Sequence, residues 1–202
     1  MMHYIDSNKK EAPAALAARL LEMLEPFSGS PVFLCIGSDR VTGDSLGPMI
    51  GSSLSEKLPG VFCTLEHPVH ALNLEDTIAH IQKYYSRHPL VAIDASLGSR
   101  EHLGYITVAP GSLAPGAGVN KALGDIGDIS ITGIIGTSGP FSHITLQTTR
   151  LSAVIPVAKQ IALGICMACR CQDCLSDGVS SSKTPSLLAS RTHFLARSCI
   201  PL

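Results

Sequence analysis

Apolar positions in the first quarter of the chain recur every three or four residues. Leu16, Leu20, Met23 and Leu24 fall on one side of a helix predicted over residues 14–24, with Glu11 and Arg19 on the other side. Pro26 and Gly29 end it. Residues 31–36 then form a short apolar run of the kind that makes a buried strand. A glycine-rich turn follows, and a second helix is predicted over 49–58, stopped by Pro59 and Gly60. Residues 61–65 alternate and are rich in β-formers, which predicts a second strand. Ile78, Ile81 and Tyr85 place a helix over 75–87. Strands are expected at 90–94, 104–108 and 129–135, and a last helix at 145–168, kinked or interrupted at Pro156.

Alternation of helix and strand at this pitch predicts an α/β sandwich around a mainly parallel five-stranded sheet. The step from Asp94 to Gly104 has no helix, which leaves room for one antiparallel pair. Residues 1–169 are read as one domain. Residues 170–202 form a Cys/Ser-rich tail without a sustained apolar period, expected to be disordered or loosely attached.

Composition narrows the partners. Hydrophobic residues make up 45% of the 202 and charged residues 15%, enough apolar material for one core. The net charge of −1 offers no basic field, so direct nucleic-acid binding is not expected. Residues 151–168 include Ser152, Pro156, Lys159 and Gln160 and read as a core helix, so no membrane association is expected either. The polar residues 1–11 lack a signal-peptide core, and a cytoplasmic location with reduced thiols is the expectation. The apolar fraction is compatible with a homo-oligomer.

Six of the seven cysteines fall into two groups. Cys35 and Cys63 lie in predicted strands and read as small buried hydrophobes. Cys166, Cys169, Cys171 and Cys174 have a spacing compatible with zinc or an iron–sulfur cluster. No second cluster follows, so a helix running into a loose tail is the favoured reading and no metal is expected.

Candidate chemistry gathers at the predicted strand ends. Asp44 lies in the turn after the first strand, and Asp94 closes the third. Two close carboxylates share a proton, one serving as acid and the other as base, and such a pair can hydrolyse an amide. Either aspartate alone also suits a helix cap or a loop-amide acceptor. His67, His70 and His143 also fall near strand ends. With the aspartates they suit a metal site or a single base, His70 best because Pro68 fixes its approach. His80, His88 and His102 read as surface positions. Arg40 and Lys121 suit an oxyanion or a substrate carboxylate, or solvated loops. No G-x-G-x-x-G, Walker or G-x-S-x-G pattern occurs, which disfavours nucleotide binding and a serine hydrolase.

Residues 37–48, reading GSDRVTGDSLGP, together with PVHALNL at 68–74 and IDASLG at 93–98, resemble the sporulation protein YyaC family. PGAGVNK at 115–121 and LQTTRL at 146–151 extend the resemblance over residues 31–162. That family is similar to the germination protease of spore-forming bacteria and, more remotely, to the hydrogenase-maturation endopeptidases. The resemblance implies a three-layer αβα fold of the phosphorylase/hydrolase type and maps a proposed catalytic aspartate pair onto Asp44 and Asp94. It also implies a protein or peptide substrate, such as a spore protein, in the spore or forespore. Ser38 stands where both relatives usually have Asn, and Gly43 where the germination protease has Pro. The expected activity is therefore a peptidase using Asp44 and Asp94, with His70 as a secondary candidate and no cofactor. The alternatives are a non-catalytic protein binding a peptide in the same pocket, and a metal-assisted endopeptidase using Asp44, Asp94 and His70.

Overall fold

A computed structural model of the chain describes residues 1–113 and 126–178, apart from the side chains at 143 and 171–178. Its strands are β1 (His3–Asp6), β2 (Val32–Cys35), β3 (Val61–Phe62), β4 (Leu90–Gly98), β5 (Tyr105–Pro110) and β6 (Ile129–Thr137). They form one mixed sheet in the order β1-β5-β6-β4-β2-β3, with helices on both sides. The helices are α1 (Ala12–Leu24), α2 (Leu46–Ser55), α3 (Leu74–Tyr85), α4 (Ser142–Thr148) and α5 (Leu151–Gly178). The α/β sandwich expected from the sequence is present, with six strands in place of five. The additional strand, β1, pairs antiparallel with β5 from His3↔Val108 to Asp6↔Tyr105. Of its four residues only Ile5 is aliphatic, so no hydrophobic alternation marks it.

The neighbours β3, β2, β4 and β6 run parallel, while β5 runs against both β6 and β1. The helix-free step from β4 does lead to an antiparallel strand, which pairs with β6 rather than with β4 itself. From β2 the chain passes through α2 to the edge strand β3, then returns through α3 to β4 on the other side of β2. Right-handed crossovers in opposite directions place α2 and α3 on opposite faces of the sheet. α1, α2 and α5 pack together in one layer.

Helix α5 includes Leu151–Arg170, a stretch long and apolar enough to cross a membrane. However, Val154, Val157, Ile161 and Ile165 on this helix are buried in the core, which makes it a core helix here. The last helix expected at 145–168 is instead two. The break falls at Thr149, where ψ of 133° leaves the helical region, and not at Pro156. Pro156 lies near the start of α5, and the helix continues past Ala168 to Gly178. The remaining tail expectation concerns 179–202, outside the described residues.

Candidate functional site

The β2–β4 ladder makes its last bond from the Ile36 amide to the Ile93 carbonyl, at 2.7 Å. The next amide, Gly37, turns away and donates to the Val69 carbonyl at 2.8 Å. β4 continues alone alongside β6, pairing Asp94 with Thr132. Asp94 therefore does not close its strand, as the sequence suggested. It sits inside β4 at the place where the sheet splits. Because β2 leads toward one edge and β4 toward the other, this is the topological switch point, where open α/β sheets bind ligands.

Gly37 permits the split. Its φ is +145°, and a Cβ there would stand 2.0 Å from the Asp44 carbonyl oxygen. The tight turn brings the chain back so that the Ser38 amide reaches that carbonyl at 3.2 Å. Asp44 follows in a single 3-10 turn, Gly43–Ser45, that leads directly into α2. The helix begins at Leu46 rather than at the expected residue 49, because Pro48 falls in its first turn, where a missing N–H costs nothing.

The two carboxyl groups differ in environment. Asp94 is buried, and burial raises its pKa well above the usual carboxylate range. The charge of Asp44 raises it further, while the Ala95 amide, donating to Oδ1 at 2.7 Å, offsets only part. Asp44 is half-buried, and burial raises its pKa too; the Ser38 amide and then His70 pull it down. One carboxyl thus holds its proton more tightly than the other, the asymmetry an acid–base pair requires.

His70 reaches the pair on a loop cross-linked by hydrogen bonds. Its amide donates to Asn73 Oδ1 at 2.8 Å, and Asn73 Nδ2 donates to the Pro68 carbonyl at 3.0 Å. The Leu72 amide donates to His70 Nδ1 at 3.4 Å. Asp44 lies near enough to both Asp94 and His70 for their charges to interact with it. His67 is exposed, with its amide held by Thr64 Oγ1, and Arg40 is exposed. The His143 side chain and all of Lys121 lie outside the described residues. Among the described residues no three His, Cys, Asp or Glu side chains are grouped to hold a metal ion. Cys166 and Cys169 both lie on α5, and the side chains of Cys171 and Cys174 are outside the described set.

Two features of the site carry no motif. The first is Cys63, immediately after β3. It is buried, as expected, yet it also adopts φ of +89°, alone among the described non-glycine residues. Burial pushes its thiol up to about 12, and the charges of Asp44 and Asp94 add to this after the Val69 amide has opposed it. A thiol that stays protonated is no nucleophile. Its structural part is clear: the Val69 amide donates to Cys63 Sγ at 3.3 Å, which ties the His70 loop to the end of β3. Cys63→Ala strands that amide and is expected to cost about 1–3 kcal/mol. Amide exchange at Val69 should accelerate in Cys63→Ala and not in Cys63→Ser. Unchanged exchange in the alanine variant would show that sulfur is not the acceptor.

The second is a row of hydroxyls. A Cβ on Gly133 would meet Leu46 of α2 and Val157 of α5, so its neighbour Thr132 and Thr132's partner Asp94 point to the opposite face. There Thr132 Oγ1 shares hydrogen bonds with Ser96 Oγ at 2.9 Å and Thr107 Oγ1 at 2.8 Å. Asp94 thus heads a polar strip across β4, β6 and β5. The signal was present in sequence as Asp94-x-Ser96, two residues on one face of a strand.

Fold and site define an α/β protein with an aspartate pair at the switch point of a mixed sheet. Residues 4–164 match the family model described as "Protein of unknown function (DUF1256)", and the chain belongs to that family. It is 38% identical over 171 residues to "Uncharacterized protein YyaC" of Bacillus subtilis (strain 168), with 83% of each chain covered. Its backbone is also similar to that of the [NiFe] hydrogenase maturation protease HycI from Thermococcus kodakarensis KOD1. That likeness has a TM-score of 0.48 at 17% identity, and covers 75% of this chain and 99% of the other.

Proposed function

We propose that the protein is a peptidase of spore-forming bacteria that hydrolyses a peptide bond in a spore protein, in the cytoplasm of the spore or forespore. The observation that supports the reading is the placement of the aspartates at the split between β2 and β4, with Asp94 buried inside β4 and Asp44 on the turn that leads into α2. Asp94 is the acid and Asp44 the base. A water molecule gives a proton to Asp44 as its oxygen attacks the scissile carbonyl carbon. Asp94 then protonates the departing amine as the C–N bond breaks. The pair is left with its proton on Asp44, and exchange with solvent restores the starting state. His70 favours the ionised form of Asp44 and so keeps the base ready.

Incubating the purified protein with spore-protein extract should produce new peptide termini, read by mass spectrometry. Asp44→Asn removes the base, and the yield of those termini should fall roughly 10²–10⁴-fold. Termini that persist in a folded Asp44→Asn protein would overturn the assignment. A folded wild-type protein producing none would favour a pocket that binds a peptide without cutting it.

A further inference from the structure

Away from the acid pair, α2 and α5 enclose an open groove of about 400 Å³. Both helices return from parallel strands and so run in the same direction, which leaves an elongated furrow between them. Its apolar wall on α5 is formed by Ile155, Leu163 and Met167, which are 43–46% exposed although they are large hydrophobic residues. They recur at multiples of four and so lie along one stripe of the helix, with Lys159 between them. Among the described residues the polar lining is one-sided: Lys57, Lys159 and Arg170 border the groove, no acidic side chain does, and none of the three has an acidic partner. The chain as a whole is at −1, so this cluster is a local excess.

We propose that the groove is a docking site for an acidic amphipathic helix of a protein partner. The apolar stripe takes the leucine-like face of the helix, and the three cations meet carboxylates along its flanks. Charge argues against the two occupants this chain itself could supply. Residues 179–202 carry Lys183, Arg191 and Arg197 and no acidic residue, so they would meet the rim with like charge. A second copy joined groove to groove by a two-fold axis along the helices would set the same cations against each other. The site is separate from the aspartate pair, and its occupancy does not depend on the peptidase reading.

The probe is a fluorescein-labelled, amidated 18-residue helical peptide with leucines on one face and glutamates on both flanks. An otherwise identical peptide with lysines for glutamates serves as its counterpart. Anisotropy with the full chain should show saturable one-to-one binding of the glutamate peptide, weakening as salt rises. The lysine peptide should bind at least tenfold more weakly. Leu163→Glu and Lys159→Glu, both at exposed positions and checked by thermal melting, should each weaken binding at least tenfold. Equal affinity for the two peptides, or unchanged binding in folded Leu163→Glu, overturns the proposal. So does sedimentation with phosphatidylglycerol vesicles without peptide binding, which would assign the face to a membrane. A dimer that Leu163→Glu dissociates in the ultracentrifuge would overturn it too, by assigning the face to a second copy.

Discussion

Asp94→Asn is expected to give a protein that is more stable and inactive. The side chain is buried, and folding raises its pKa because burial and the charge of Asp44 both oppose ionisation. Between the unfolded carboxyl pKa of about 4 and the higher folded value, the folded state binds more protons than the unfolded state. Stability therefore falls as pH rises through that window, and the full penalty is in place above the folded pKa. Each unit of elevation is worth about 1.4 kcal/mol. Asparagine cannot ionise and has an oxygen to accept the Ala95 amide, so the variant escapes the penalty. Melting curves from pH 4 to 8 should converge at the acid end and separate upward, the variant higher by roughly 2–4 °C per kcal/mol. Asp44→Asn should show the same sign, since its pKa is raised too. The same Asp94 change removes the acid of the proposed reaction, with a loss of roughly 10²–10⁴ in rate. Parallel pH curves for wild type and Asp94→Asn would mean that folding does not raise this pKa. A purely structural aspartate, capping or pairing, would lose stability on substitution, so the sign separates the two roles.

The parts of the molecule that were legible in sequence are those where hydrophobic spacing leaves little choice. Leu16, Leu20 and Leu24 mark one face of α1, and all three are buried. The apolar runs of β2 and β4 lie inside the sheet, where both faces exclude water. What was missed depends on long-range pairing. β1 exists because β5 offers it an edge, and its own four residues do not announce a strand. A charged residue reads as a strand ending, so the sequence predicts that β4 stops at Asp94, whereas pairing with β6 from Thr132 to Thr137 carries the strand onward to Gly98. That error placed Asp94 at a strand end when it lies at a split in the sheet, and the candidate residue was nevertheless the same. Pro156 predicts a break in the last helix, yet it lies inside α5, where it lacks the N–H that would reach the Ser152 carbonyl, and the break falls at Thr149 instead. Cys63 is buried as the sequence predicts, but neither its φ nor its sulfur contact can be read from composition.

Asp44 comes near enough to act on Asp94 because α2 starts in direct contact with the end of β2, and Gly47 makes that approach possible. A Cβ at Gly47 would stand 2.0 Å from the Ile36 carbonyl oxygen, 2.7 Å from its carbon and 2.9 Å from its nitrogen. All three atoms are backbone, so no side chain can swing aside. Ile36 is also the residue that makes the last β2–β4 bond, which leaves it little freedom to retreat. Gly47→Ala must then push the first turn of α2 outward and move the adjacent turn that holds Asp44. The expected cost is about 3 kcal/mol or more, at or above the upper end for overpacking, since backbone must move. At roughly 2–4 °C per kcal/mol that is a fall of about 6–12 °C in Tm. Gly139→Ala is the matched control: nothing lies within 4 Å of its added methyl, and the change should be neutral or slightly stabilising. A Gly47→Ala protein that still folds should lose the acid–base pairing. Adding Asp94→Asn to it should then open a smaller pH-dependent gap than the same change opens in the wild type. A Gly47→Ala protein that melts with the wild type would mean that α2 does not lie against Ile36. The close approach that sets Asp44 beside Asp94 would then have no basis.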